Sequence, residues 1–144
     1  MGQIMEEVIL NCSPEKAFSE IADMQFVKKI NPNAGIENEV IYQNKRLVRY
    51  KLKVSNVGVW ESERIIIPES LTILTQRRNP LAPFKYMTVL HVFKKHESGT
   101  LLRYMEEFEM DSENIKRECE VLNDIFKKIG PNMKKIEQYF NKHL

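Results

Sequence analysis

The order of hydrophobic periodicities predicts an α+β domain: a curved antiparallel sheet wrapped around a long C-terminal helix, with an internal cavity between them. Three observations carry the prediction. A strand and a short helical stretch come first; from about residue 37 to 110 apolar residues alternate with period two; from there to the end the period is helical. Strands joined by short connections argue for a meander rather than for βαβ units. A length of 144 residues suits a single domain over 1–144.

Residues 3–11 read as the entering strand. Ser13-Pro14-Glu15 then starts a helix: Ser13 can cap free N–H groups, Pro14 at N1 loses no hydrogen bond, and Glu15 suits the positive dipole end. The helical stretch runs towards Ile30 with a break near Asp23, and Asn31-Pro32-Asn33-Ala34-Gly35 is a loop. Strands are expected at 37–43, 46–54, 57–67, 70–78, 86–95 and 100–110, separated by short polar connections and a loop over 79–85 containing two prolines. The last helix is expected from Asp111 or Ser112, with Ile115, Cys119, Leu122, Phe126, Ile129, Met133, Ile136 and Phe140 as its apolar stripe and a kink at Gly130-Pro131.

Composition narrows the function classes. A net charge of +2 gives no reason to expect nucleic acid. The longest apolar run, Ile65-Ile66-Ile67, is far too short to span a membrane, and the first residues show no signal-peptide pattern. Cys12 and Cys119 read as buried thiols of a reducing cytoplasm. His91, His96 and His143 have no metal-ligand spacing, and there is no nucleotide-binding glycine motif, so neither metal nor cofactor is expected. Ser13-x-x-Lys16 matches a hydrolase pattern by letters alone, and capping explains it.

Strand alternation then locates the inner face. Glu61 and Glu63 belong in water, which turns Trp60, Ser62, Arg64 and Ile66 inward. By the same reasoning Val48, Tyr50, Leu52 and Val54 share the inner face with Met87, Val89, His91 and Phe93, and with Leu102, Tyr104, Glu106, Phe108 and Met110. Two charged residues thus fall on apolar strand faces, Arg64 and Glu106. They form either a buried ion pair or the polar wall of a ligand pocket, and the two readings are compatible. A guanidinium suits carbonyl or enolate oxygens. His91 is a candidate acid or base, or a hydrogen-bonded structural residue. Trp60, Tyr50 and Tyr104 read as core or as pocket wall.

The motifs Ser13-Pro14-Glu15, Trp60-x-Ser62-x-Arg64, Pro83-Phe84-x-Tyr86-Met87, Gly99-Thr100-x-x-Arg103, Glu107-Phe108-x-Met110 and Asn132-Met133-x-x-Ile136 occur in this order along nearly the whole chain. In this set the chain resembles the polyketide aromatase/cyclases of the tetracenomycin type, within the Bet v 1-like, START-related superfamily. The resemblance implies a helix-grip fold and cofactor-free cyclisation and dehydration of a poly-β-ketone carried by an acyl carrier protein. It implies Arg64 and Ser62 as catalytic residues, with Trp60, Tyr50, Met87, His91, Tyr104, Glu106, Phe108 and Asn132 around the substrate. His91 stands where the family places a large aromatic residue, and Glu106 where it places a neutral amide. Gly35 stands where a tyrosine is usual, and Gly130-Pro131 has no counterpart. The same superfamily includes carriers of lipids and quinones, so binding or transport of a hydrophobic small molecule is the alternative function. A structural or regulatory interaction protein is a third reading, which leaves the inward polar residues without a role. Lys127, Lys128, Lys134, Lys135 and Lys142 near the C-terminus form either a solvated helix face or a dock for the acidic carrier protein.

Overall fold

A computed structural model describes residues Met1–Lys142; His143 and Leu144, and with them one of the three histidines, lie outside the described residues. Seven antiparallel strands form one sheet in the order β1-β7-β6-β5-β4-β3-β2. They are β1 (Gly2–Leu10), β2 (Ile36–Gln43), β3 (Leu47–Val54), β4 (Gly58–Ile67), β5 (Thr72–Asn79), β6 (Phe84–His96) and β7 (Gly99–Met110). The meander from β2 to β7 follows the chain, and β1 closes the arrangement by pairing with β7 from Gly2↔Phe108 to Leu10↔Thr100.

The helices are α1 (Pro14–Ala22), α2 (Phe26–Ile30) and α3 (Glu118–Lys142). Ser13 caps α1 by accepting a hydrogen bond from the Lys16 N–H at 3.2 Å, which leaves the serine–lysine pair no further role. Phe18 and Ile21 of α1, Phe26 of α2, and Ile129, Met133, Ile136 and Phe140 of α3 meet Phe93 and Leu102 of the sheet in the main core. Phe18 packs edge-on against Phe93 with centroids 5.7 Å apart.

Several expectations are corrected. The strand expected at 70–78 starts at Thr72, because Pro68–Ser70 form a 3-10 turn and Leu71 takes a left-handed conformation (φ 49°). The last helix starts at Glu118 rather than at Asp111 or Ser112: the Asp111 carboxylate is bonded to both the backbone and side-chain amide of Asn114, a local turn that competes with helix initiation. In the first half of α3 the inward side chains are Val121, Leu122 and Ile125, leaving Cys119 and Phe126 in solvent, where Ile115, in the 3-10 turn before the helix, also lies. Cys12 is half-buried, so neither cysteine is the fully buried thiol expected. Pro131 lies inside α3, which runs on to Lys142.

Candidate functional site

Register fixes which inward residues are neighbours. Arg64 pairs with Thr75, Thr75 with Val89 and Val89 with Glu106, so these four form one transverse row across β4, β5, β6 and β7. The adjacent inward row is Ile66, Ile73, His91 and Tyr104. Helices cover both rows. The space left between is a cavity of about 160 Å³, bordered by Arg64, Thr75, Val89, His91 and Tyr104 from the sheet and by α1, α2 and α3 from above, including Asn132 of α3.

Arg64 and Glu106 do not form an ion pair. They share a row but sit three strands apart, and strands are spaced by roughly 4.8 Å. Each finds its own partner. The Arg64 Nη1 donates to the carbonyls of Ile21 and Ala22 at 3.2 Å each, so the cation caps the negative end of α1. Its Nε is buried and unpartnered, and its guanidinium lies 5.8 Å from the Tyr50 ring centroid. Glu106 accepts a 2.6 Å hydrogen bond from the Tyr104 hydroxyl, and its second oxygen, Oε2, is buried without a partner. Burial pushes the Glu106 carboxyl upward, opposed in part by the Tyr104 bond. The Tyr104 phenol is raised too, by burial first and then by the neighbouring Glu106.

His91 packs edge-on against Tyr104, centroids 5.1 Å apart. The residue keeps partial exposure, yet its Nδ1 is buried and unpartnered. Burial, with Arg64 adding to it, pulls the imidazole down to about 3. A neutral ring therefore sits beside a fixed cation.

The remaining residues expected around the substrate lie elsewhere. Trp60 stacks under the Arg77 guanidinium at 5.0 Å, and Arg77 also faces Phe84 at 5.4 Å while holding the carbonyls of Pro80 and Ala82. Phe108 packs edge-on against Phe84 in a separate cluster that Met87 joins. Tyr50 packs with Met24 and Val48, and Ser62, its cross-strand partner, is buried beside it. None of these, nor Glu106, borders the cavity; Glu106 reaches it only through Tyr104. Thr75 is the polar cavity residue that the sequence reading missed. It stands at the right alternation phase on β5, but the adjacent Arg77 and Arg78 put a charge on each face of that strand and so mark neither as the outer one.

Among the described residues no cluster of three or more His, Cys, Asp or Glu is placed to hold a metal ion, and no helix is long and apolar enough to cross a membrane. The architecture is the helix-grip fold of Bet v 1-like proteins. Solved structures similar to it include the Zhui aromatase/cyclase from Streptomyces sp. R1128, with 13% identity, a TM-score of 0.81 and coverage of 97% of this chain and 93% of that one. Norcoclaurine synthase from Thalictrum flavum is similar at 11% identity and a TM-score of 0.76, over 98% of this chain and 94% of that one. TTHA0849 from Thermus thermophilus follows at 17% identity and a TM-score of 0.73, over 94% of each chain. No protein-family model matches the chain, and neither does any curated protein sequence.

Proposed function

We propose that this chain is a cyclase/aromatase-like protein that takes one ring's worth of a polyketide-type carbonyl compound into the Arg64–His91–Tyr104 cavity. The observation that carries the reading is the convergence of unanswered polar groups on an otherwise apolar space. Buried polar atoms are nearly always paired, yet Arg64 Nε and His91 Nδ1 are not, and both residues border the same cavity. Volume sets the ligand's scale. Pockets for drug-sized ligands hold roughly 300–1,000 Å³, whereas an apolar cavity of about 150 Å³ accommodates benzene. The 160 Å³ here matches a single six-membered ring, with the rest of a longer chain outside.

The chemistry follows from the protonation states. Removal of a proton α to a carbonyl puts negative charge on its oxygen, and the Arg64 guanidinium is positioned to stabilise that charge. The Tyr104 proton is committed to Glu106, so Tyr104 Oη offers the ligand an acceptor for a hydroxyl or enol. His91, held neutral, can pass a proton between its two nitrogens without carrying charge into the dry site. Ser62, buried next to Tyr50, takes no part in this scheme. An acyl carrier protein as the donor of the chain belongs to this proposal, with Lys127, Lys128, Lys134 and Lys142 of α3 as its dock.

The test uses a linear tetraketide thioester of N-acetylcysteamine. Carbon 2 attacks the ketone at carbon 7, water leaves, and the ring aromatises. The protein is expected to accelerate formation of that product, and Arg64→Ala to lower the rate by about 10²–10³. Arg64→Lys keeps the charge but loses the planar fork, and is expected to fall between the two. Product and rate identical to the protein-free reaction, with ring compounds still bound, would leave the alternative in place: a binder of small hydrophobic molecules. That second reading is favoured by the apolar wall of Ile21, Phe26, Val89 and Ile136.

A further inference from the structure

One wall of the cavity is the seam between α2 and α3. Ile30, half-buried at the end of α2, borders the cavity on one side and an open surface groove of about 460 Å³ on the other. Lys29, Lys135, Gln138 and Tyr139 form the rest of that groove. Along α3, Asn132 and Ile136 look into the cavity while Lys135 and Tyr139 look into the groove, so the same two turns carry both surfaces. The seam is packed by Phe26 of α2 against Tyr139 and Phe140 of α3. Its direct polar tie is a 2.7 Å hydrogen bond from the Lys135 Nζ to the Asn31 Oδ1, a neutral acceptor for a cation. Tyr139 donates its hydroxyl proton away to Glu20, at 3.1 Å.

We propose that this seam is the portal of the cavity and that the natural ligand carries an anionic group, a carboxylate or phosphate, which rests in the groove on Lys29 and Lys135 while its ring occupies the cavity. The inference rests on the cavity reading above and adds the ligand's second half. The single-ring volume forces any substituent outward, and Ile30 marks where it emerges. There it meets two exposed ammonium groups from two different helices, one of them tied to an amide oxygen. An anion exchanges that bond for a charge-assisted one, which is the stronger. The anion is the ligand's own, not the surface of an acidic macromolecule, because the groove shares Ile30 with the cavity and so receives the substituent of a ring bound there.

The experiment compares phloretate, a phenol with a short carboxylate tail, with its uncharged primary amide and with phenol, by calorimetry and by chemical-shift changes of the labelled protein. Phloretate is expected to bind about tenfold more tightly than the amide, a difference that shrinks with added salt. Lys29→Gln with Lys135→Gln is expected to bring the acid down to the affinity of the amide. Shifts should appear at His91 and Tyr104 for all three compounds, and at Ile30 and Lys135 for the tailed pair. Equal binding of acid and amide, or a preference that survives loss of both lysines, overturns the portal and leaves the cavity reading standing. If phenol and amide leave His91 and Tyr104 unshifted, the cavity reading itself falls, and the portal with it. Acid binding that requires an acidic protein to be present would assign the lysines to a macromolecular partner and overturn the small-ligand anion.

Discussion

Two buried titratable residues pull the molecule's stability in opposite directions with pH. His91 has a folded pKa near 3 against an ordinary 6.5, so the unfolded chain takes up the proton first. The stability this residue permits is complete above pH 6.5 and is lost as pH falls towards about 3, with a limiting slope of ~1.4 kcal/mol per pH unit. Glu106 runs the other way. Its pKa is raised above 4.5 by burial, so the folded state holds its proton longer than the unfolded one, and stability is lost as pH rises through the folded value. Two expected outcomes follow, both read by denaturant unfolding across pH. His91→Phe flattens the loss of stability between pH 6.5 and pH 4, whatever its effect at neutrality. Glu106→Gln, which keeps an acceptor for the Tyr104 hydroxyl and removes the buried charge, unfolds at higher denaturant than wild type near pH 7, and the gap closes as pH falls to 4.5. A gap that widened on acidification would show that Glu106 is stabilised as the anion by the Tyr104 hydroxyl, and that the upward push of burial on its carboxyl does not prevail.

At the scale of elements, α3 concentrates the features that shape the site. Gly130 and Pro131 sit mid-helix, next to the cavity residue Asn132. A Cβ at Gly130 would meet nothing within 4 Å, so Gly130→Ala is expected to stabilise the protein by about 0.5–1 kcal/mol through helix propensity alone. The contrasting position is Gly99, in the β6–β7 hairpin, with φ 135° and a built Cβ only 2.4 Å from the Leu10 carbonyl oxygen. There Gly99→Ala is expected to cost well over ~1 kcal/mol, because β1 must move to admit it. Melting temperatures of the two variants check both signs. The strands and the opening cap of α1 were legible in the sequence, because alternation and Ser13-Pro14-Glu15 are local signals. So was the inward phase of Arg64, His91 and Tyr104. What the phase could not supply was distance across the sheet: Arg64 and Glu106 face the same interior yet stand on strands three apart, and only register shows that. The drift of the α3 stripe was hidden for a related reason. Cys119 and Phe126 keep the seven-residue step, but a helix of 3.6 residues per turn rotates that line away from the core, where Val121 and Ile125 take over.

Across the whole molecule the packing is uneven, and the unevenness falls where a ligand would have to pass. The β1–β7–β6 side of the sheet is held by long ladders, twelve paired positions between β6 and β7, with Phe108, Leu102 and Leu10 fully buried. By contrast α2 is five residues long, lacks a side-chain cap at its N-terminus, and carries Lys28 and Lys29 at its exposed end. It is anchored chiefly by Phe26, stacked on Phe140 at 5.9 Å and edge-on to Tyr139 at 5.2 Å. Local opening free energies in a protein extend from near zero at such segments up to the global value in the core strands. Amides of α2 and of the Asp23–Gln25 turn are therefore expected to exchange with solvent far faster than those of β6 and β7, without global unfolding. A ligand that fills the cavity binds only the closed arrangement, so it should slow exchange in α2 and at the end of α1, where Arg64 is tied, in proportion to its occupancy. Hydrogen-exchange mass spectrometry with and without phloretate reads both effects. Exchange in α2 as slow as in β6 would mean the seam does not open on its own, and protection confined to the β2 edge would place the ligand outside the cavity altogether.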